Sequence, residues 1–256
     1  MTETPILVSL REVGKTFKSG TVALAGVDLD VKQDEFLTLL GPSGCGKSTV
    51  LRLIAGLDGA TSGRLTRPAD LGKHDIGFVF QEPTLLPWAS VFDNVWLPLR
   101  LQKQSARAAA PAIEEALALV GLSSFAPAYP RELSGGMRMR VSIARALVLR
   151  PALLLMDEPF AALDEITRYQ LNDDLIRLKR ELGMTIVFVT HSVFEGVYLS
   201  TRIAIMGARP GRIFAELEID PTLARNENFR ASPFYGICCN QASKALYRAM
   251  HTENRQ

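Results

Sequence analysis

Eight consecutive residues, Gly41-Pro42-Ser43-Gly44-Cys45-Gly46-Lys47-Ser48, fit the spacing G-x-x-x-x-G-K-[ST]. Each position answers a need of polyphosphate binding. Glycines let the loop bend until backbone N–H groups point at phosphate oxygens. Lys47 brings a positive charge to the β- and γ-phosphates, and Ser48 brings a hydroxyl to Mg²⁺. A helix starting at Ser48, with Thr49 in its first turn, aims the positive end of its dipole at the same anion. Cys45 reads as a small spacer residue, with oxidation sensitivity as the alternative.

A second group, Asp157 and Glu158, closes the apolar run of LLLMDEP. An isolated Asp-Glu pair is usually a solvated turn. At the carboxyl end of a strand, in a chain with a phosphate loop, the pair has another use. Asp157 then holds Mg²⁺ through its water shell, because Mg²⁺ dehydrates reluctantly. Glu158 is left to polarise an attacking water as general base. A third group, Ser134-Gly135-Gly136, precedes a helical run from Met137. Ser-Gly-Gly at a helix N-terminus suits an anion, so the chain carries a second anion site besides its phosphate loop.

The elements that must hold these groups alternate strand and helix. Short apolar runs at Phe36–Leu40, Ile76–Phe80, Leu153–Met156, Thr185–Val189 and Ile203–Met206 predict a parallel sheet covered on both faces. Ile6–Leu10 and Val27–Val31, separated by turn-rich sequence, predict an antiparallel β edge instead. Helices are expected over Ser48–Leu57, with Gly59 beyond it, and over Glu165–Leu182. In the latter Leu171, Leu175, Leu178 and Leu182 share one face and Gly183 ends the helix. Between about Glu82 and Leu149 the strand pattern stops. Pro111 is expected to open one helix there, ended by Gly121, and Met137–Leu149 forms another with Val141, Ala144 and Val148 on its apolar side.

Composition narrows the class. With 47 % hydrophobic and 22 % charged residues over 256 positions, the chain reads as an ordinary globular protein. A net charge of +2 is too small to argue for nucleic acid as a partner, and none is expected. No apolar run approaches the roughly 20 residues that span a bilayer. The N-terminal MTETPILVSL lacks the basic and apolar regions of a secretory signal. Cys45, Cys238 and Cys239 form no disulfide pattern, and His74, His191 and His251 are too scattered for a zinc site. A reducing compartment is therefore expected.

Taken together the motifs resemble the ATPase subunit of ABC transporters, whose signature LSGGQ stands here as LSGGM, Leu133–Met137. The resemblance covers about residues 6–215, with all motifs in the family's order. It implies an α/β fold: a P-loop NTPase (RecA-like) core with an N-terminal antiparallel β subdomain and an inserted helical subdomain. On this reading residues 1–220 form a single ABC ATPase domain with the helical part at about 82–149, and 221–256 form a short helical tail.

The resemblance also assigns roles. Phe17 stacks on adenine, against the bland alternative of a core phenylalanine. Gln81 is the glutamine that contacts Mg²⁺ and the water. Asp164 organises a dimer interface, and it also suits the N-cap of the helix from Glu165. His191 contacts the γ-phosphate, where a lone histidine after a strand is usually structural. Two copies are expected to dimerise head to tail, with Ser134, Gly135 and Gly136 of one closing over ATP on the loop of the other. Met137 departs from the family's glutamine and cannot donate an amide hydrogen bond, while Met139 replaces another common glutamine.

Leu85 to Leu97, with Trp88 and Trp96, is unusually apolar. The bland reading is core, and the resemblance implies a groove for a short helix of the transmembrane permease subunits. FQEPTLLPWASVFDNV and Met206–Ile213 (MGARPGRI) further resemble importers of nitrate, sulfonates and taurine. The expected function is ATP hydrolysis at the cytoplasmic face of the inner membrane, peripheral to it and served indirectly by a solute-binding protein. The alternatives are an ABC ATPase that does no transport, a P-loop kinase or GTPase, and a regulatory subunit without catalysis.

Overall fold

The computed structural model describes residues 4–68, 71–72, 75–207 and 210–251, so His74 and the middle of the Met206–Ile213 stretch lie outside the described residues. The chain divides into two compact units, Met1–Leu71 with Gly183–Gln256, and Gly72–Leu182.

In the first unit, β1 (Ile6–Thr16), β2 (Val22–Lys32) and β4 (Ser62–Thr66) make an antiparallel sheet in the order β2-β1-β4. The antiparallel edge expected from sequence is present. Its first two strands run 11 residues each, well past the apolar cores of Ile6–Leu10 and Val27–Val31. Register shifts along β1, including one between Leu10 and Val13, let it continue where simple alternation fails. β4 (SGRLT) is largely exposed and carries no apolar alternation, which is why its sequence gives no strand signal.

The same unit holds β3 (Phe36–Leu40), β7 (Thr185–Thr190), β8 (Arg202–Met206) and β9 (Ile213–Glu218). β3 pairs in parallel with β7 on one side and β8 on the other, and β9 adds antiparallel to β8. Every residue of β3, β7 and β8 is buried, as continuous apolar runs require when both faces are covered. β9 alternates half-buried and exposed residues, the pattern of an edge with one covered face. Helix α1 (Lys47–Ala55) follows β3 and contacts β7, α6 (Val193–Leu199) follows β7, and α7 (Glu227–Arg230) precedes α8 (Pro233–His251). α8 lies on α6 and β8, and Cys238 and Cys239 are part of its buried side. Burial raises both thiol pKa values, so the pair serves as apolar packing.

The second unit pairs β5 (Ile76–Val79) with β6 (Leu153–Asp157) in parallel. Among the described residues no strand lies between them; α2 (Val91–Leu101), α3 (Ala106–Leu119) and α4 (Gly135–Leu147) fill that stretch and pack on one another. α5 (Glu165–Leu182) has the predicted bounds, and Leu171, Leu175 and Leu178 are buried along it. Pro111 does not open α3 but sits inside it. The Ser105 hydroxyl caps the helix by accepting from Ala108 N–H at 3.3 Å, and the alanine-rich turns before Pro111 propagate well enough to absorb one missing donor.

One buried ion pair ties the sheets of the first unit. Arg202 donates to Glu35 at 2.8 and 3.1 Å, to Glu216 at 3.0 Å, and to the Asp30 carbonyl. Burial opposes charge on Arg202, but the hydrogen bond and charge of Glu35, with Glu216, outweigh it and raise the guanidinium pKa. Arg202→Ala leaves Glu35 buried without its cation, and a loss of about 3–5 kcal/mol in unfolding free energy is expected from urea titration.

Candidate functional site

The first unit supplies the phosphate loop. Gly41 leaves β3 directly after Leu40, and Leu40 stands opposite Thr190, the last residue of β7. His191 therefore emerges beside the loop, from the carboxyl end of the neighbouring parallel strand. Gly46 caps α1 at φ 101°, and a Cβ there would lie 2.6 Å from Leu24 Cδ2 and 3.0 Å from the Ala23 carbonyl oxygen. Both the dihedral and the space exclude a side chain.

Lys47 is 3 % exposed, and its Nζ donates to the Gly41 and Pro42 carbonyls at 2.9 Å each. The ammonium is thus folded back onto its own loop, at the start of a helix whose N-terminus carries no side-chain cap among the described residues. A cation beside the first-turn N–H groups of a helix suits a polyphosphate. Cys45 is buried within the loop, as a spacer would be. Ser48 and Thr49 lie half-buried in the first turn of α1. Pro42 is also half-buried, while Ser43 and Gly44 are exposed. Gly211, from the Met206–Ile213 stretch, braces the strand beside the loop by donating to the Ala23 carbonyl at 2.9 Å.

His191 is exposed between β7 and α6. Thr190 and Ser192 hold its backbone: the Thr190 hydroxyl accepts from Ser192 N–H at 3.0 Å, and the Ser192 hydroxyl caps α6 through Glu195 N–H at 3.3 Å. Phe17 begins the turn after β1 and is 38 % exposed, with the Lys15 ammonium 5.4 Å from its ring centre. Its partial exposure excludes the core alternative.

The second unit repeats the strand-end arrangement. Val79 pairs with Met156, so Gln81 and the Asp157-Glu158 pair leave the carboxyl ends of adjacent parallel strands. Asp157 and Glu158 are half-buried, and Glu158 takes φ 44°, a left-handed conformation that costs a non-glycine residue about 1–3 kcal/mol. Ser134 caps α4 by accepting from Met137 N–H at 3.2 Å. Asp164 caps α5, accepting from Thr167 N–H at 2.9 Å and from its hydroxyl at 2.7 Å. Those two bonds, the backbone one first, hold the Asp164 carboxyl below the usual carboxylate range.

Thr167 links the caps. A Cβ on Gly136 would meet Thr167 Cγ2 at 2.7 Å, so the α4 N-terminus approaches α5 as closely as glycine permits. Gly135 has ordinary contacts in the same place. Met139 is 2 % exposed, so a core position explains the methionine there. Met137 is half-buried at the helix start.

The stretch after Gln81 is held by two residues that motif reading missed. Asn94 is fully buried on α2; its amide donates to the Leu86, Ala89 and Ser90 carbonyls, and its oxygen accepts from Leu86 N–H. A polar residue inside VFDNVWLPL was the available signal. Arg145 of α4 donates to the Pro83 and Thr84 carbonyls and to the Thr84 hydroxyl at 2.8–3.0 Å. The two tryptophans differ. Trp96 is tied down, donating to the Gln104 carbonyl at 3.2 Å, whereas Trp88 is 74 % exposed at the tip of the Asn94-held loop.

Residues 24–161 match the family model described as ABC transporter. The chain belongs to that family. Among its ABC transporter relatives, the aliphatic sulfonates import ATP-binding protein SsuB of Bacillus licheniformis is 44 % identical over 89 % of each chain. The taurine import ATP-binding protein TauB of Rhizobium johnstonii is 46 % identical over 77 % of each. The dimeric structure of the bacterial ABC transporter cassette MJ0796 superposes with a TM-score of 0.72 at 35 % identity, covering 84 % of this chain and 99 % of that one. The same cassette in a post-hydrolysis state bound to ADP and Pi gives 0.71 at 36 % identity over the same shares. The chain is thus an ABC ATPase that binds ATP.

The approach of α4 to α5 is open to test. Gly136→Ala is expected to lower unfolding free energy by about 1–3 kcal/mol through overpacking against Thr167. Adding Thr167→Ser removes Cγ2 but keeps the hydroxyl on Asp164, and thermal denaturation of the double variant should show part of the loss recovered.

Proposed function

We propose that the chain is the ATP-hydrolysing subunit of an importer for a small solute of the sulfonate, taurine or nitrate type. The observation that carries the hydrolytic half is the pairing of chemistry with strand ends: Leu40 with Thr190, and Val79 with Met156. The import half is supported by relatives named for sulfonate and taurine import. A single ABC ATPase domain over 1–220, with a helical subdomain at about 82–149 and a tail over 221–256, is the division that goes with this function.

The reaction is phosphoryl transfer to water, in which positioning and charge stabilisation do most of the work. Phe17 stacks on the base. Gly41 to Thr49 wrap the phosphates, and Lys47 offsets charge on the β- and γ-groups. Glu158, whose backbone is left-handed at φ 44°, accepts the proton of the attacking water. His191 steadies the γ-phosphate. Ser48, Gln81 and Asp157 are the residues that would hold Mg²⁺; a hydroxyl, an amide oxygen and a carboxylate are the hard oxygen donors that this ion takes. When bound, Mg²⁺ neutralises charge on the phosphate oxygens.

Each site is completed by a second copy, whose Ser134, Gly135 and Gly136 close over the γ-phosphate beside Asp164. The dimeric cassette among its structural neighbours supports this arrangement. The exposed Trp88 loop is the docking point for transmembrane permease subunits, reached indirectly by a solute-binding protein. The subunit then works peripherally, at the cytoplasmic face of the inner membrane.

Glu158→Gln is expected to keep ATP affinity, lose turnover by about 100-fold or more, and accumulate as an ATP-bound dimer on size exclusion. Wild-type turnover in that variant removes Glu158 as the base. Trp88→Ala should leave the isolated subunit's ATPase intact while weakening assembly with the permease and the ATPase coupled to transport. If assembly and coupling both survive, Trp88 is not the anchor.

A further inference from the structure

Gln81 is followed by a backbone that ought not to hold its shape unaided. Thr84, three positions on, has φ 47°, a left-handed conformation that is a real strain for a β-branched residue. Such strain persists only where surrounding contacts over-determine it. Those contacts come from Arg145. One guanidinium donates to the Pro83 carbonyl at 2.8 Å, the Thr84 carbonyl at 2.9 Å and the Thr84 hydroxyl at 3.0 Å. Its burial lowers its pKa, yet at any working pH it stays charged, so these are charge-assisted bonds.

The strand before Gln81 meets the same end of α4. A Cβ on Gly77 of β5 would lie 3.1 Å from the carbonyl oxygen of Ala146, the residue after Arg145. Gln81 is therefore bracketed: its incoming strand rests on the last turn of α4, and its outgoing loop hangs on Arg145. The other end of α4 is capped by Ser134, about 17 Å from Arg145 at the rise of a helix.

We infer that Arg145 is a positioning residue for Gln81, acting through the backbone of Pro83 and Thr84, and that it makes the Gln81 loop move as one body with the signature helix α4. The guanidinium fork is essential to this. A lysine carries the charge but cannot reach two carbonyls and a hydroxyl with the same planar geometry. The inference rests on the proposed role of Gln81 in hydrolysis, and the test separates the two.

ATPase kinetics are measured for Gln81→Ala, Arg145→Lys and the double variant, each corrected for its folded fraction. Gln81→Ala alone reads the role of Gln81, and its kcat should fall. Arg145→Lys should lower kcat about tenfold while KM for ATP shifts less than about threefold, because the base and phosphate contacts lie on other residues. In the Gln81→Ala background Arg145→Lys should cost little further, since its effect passes through the missing amide. Additive losses in the double variant overturn the proposal. So does a kcat in Arg145→Lys that returns to wild type once the folded fraction is corrected, because that is the mark of a purely structural arginine. If Gln81→Ala keeps full turnover, the role of Gln81 falls and the route from Arg145 falls with it, whereas a fall in Gln81→Ala with additivity in the double variant condemns Arg145 alone.

Discussion

Parallel strand pairing is the constraint from which the candidate site follows. In a parallel ladder both strands end on the same side, so whatever leaves the carboxyl end of one strand leaves beside its neighbour. Leu40 opposite Thr190 delivers the phosphate loop and His191 together. Val79 opposite Met156 delivers Gln81 and the Asp157-Glu158 pair together. A one-residue slip in either ladder would turn the following side chain to the other face of its sheet. The buried and mostly apolar residues of β3, β6 and β7 keep those strands in place, because shifting them would expose apolar ends to water.

Strand ends bring groups near each other but do not aim them. That is done by short polar devices at the next level. Ser134, Asp164 and Ser192 each cap the helix that follows them, so a hydroxyl or carboxylate needed at the surface is also fixed by a backbone N–H. Lys47 is held by two carbonyls of its own loop. Asn94 and Arg145 do the same for the stretch after Gln81, one satisfying the loop that carries Trp88 and the other the turn beside Gln81. Strain at Glu158 and Thr84 is concentrated at these points and offset by the rigid elements around them.

The cysteines and methionines illustrate a different economy. Cys238, Cys239 and Met139 look unusual in sequence, the first two for their adjacency and the last for replacing a common glutamine. All three are interior residues of helices. Their chemistry is that of small or flexible apolar groups, and a pocket for a hydrophobe is all they show. Met137, the other departure from the family's glutamines, is half-buried in the first turn of α4.

Much was legible without coordinates because local sequence encodes it. The phosphate loop, the acidic pair, the buried strands and the helix over Glu165–Leu182 follow from motif spacing, apolar runs and a leucine face, all properties of contiguous residues. Elements without such marks are not legible: β4 has no apolar alternation, and α3 begins at Ala106, before Pro111. What only the tertiary structure decided is which distant residues meet. That Thr167 sets the space beside Gly136, that Arg145 holds the turn beyond Gln81, and that Asn94 holds the Trp88 loop depends on packing between helices far apart in the chain. No periodicity or spacing records such contacts. The sequence by itself determined the chemistry available to this protein; the packing of α2, α4 and α5 decided which residues hold that chemistry in position.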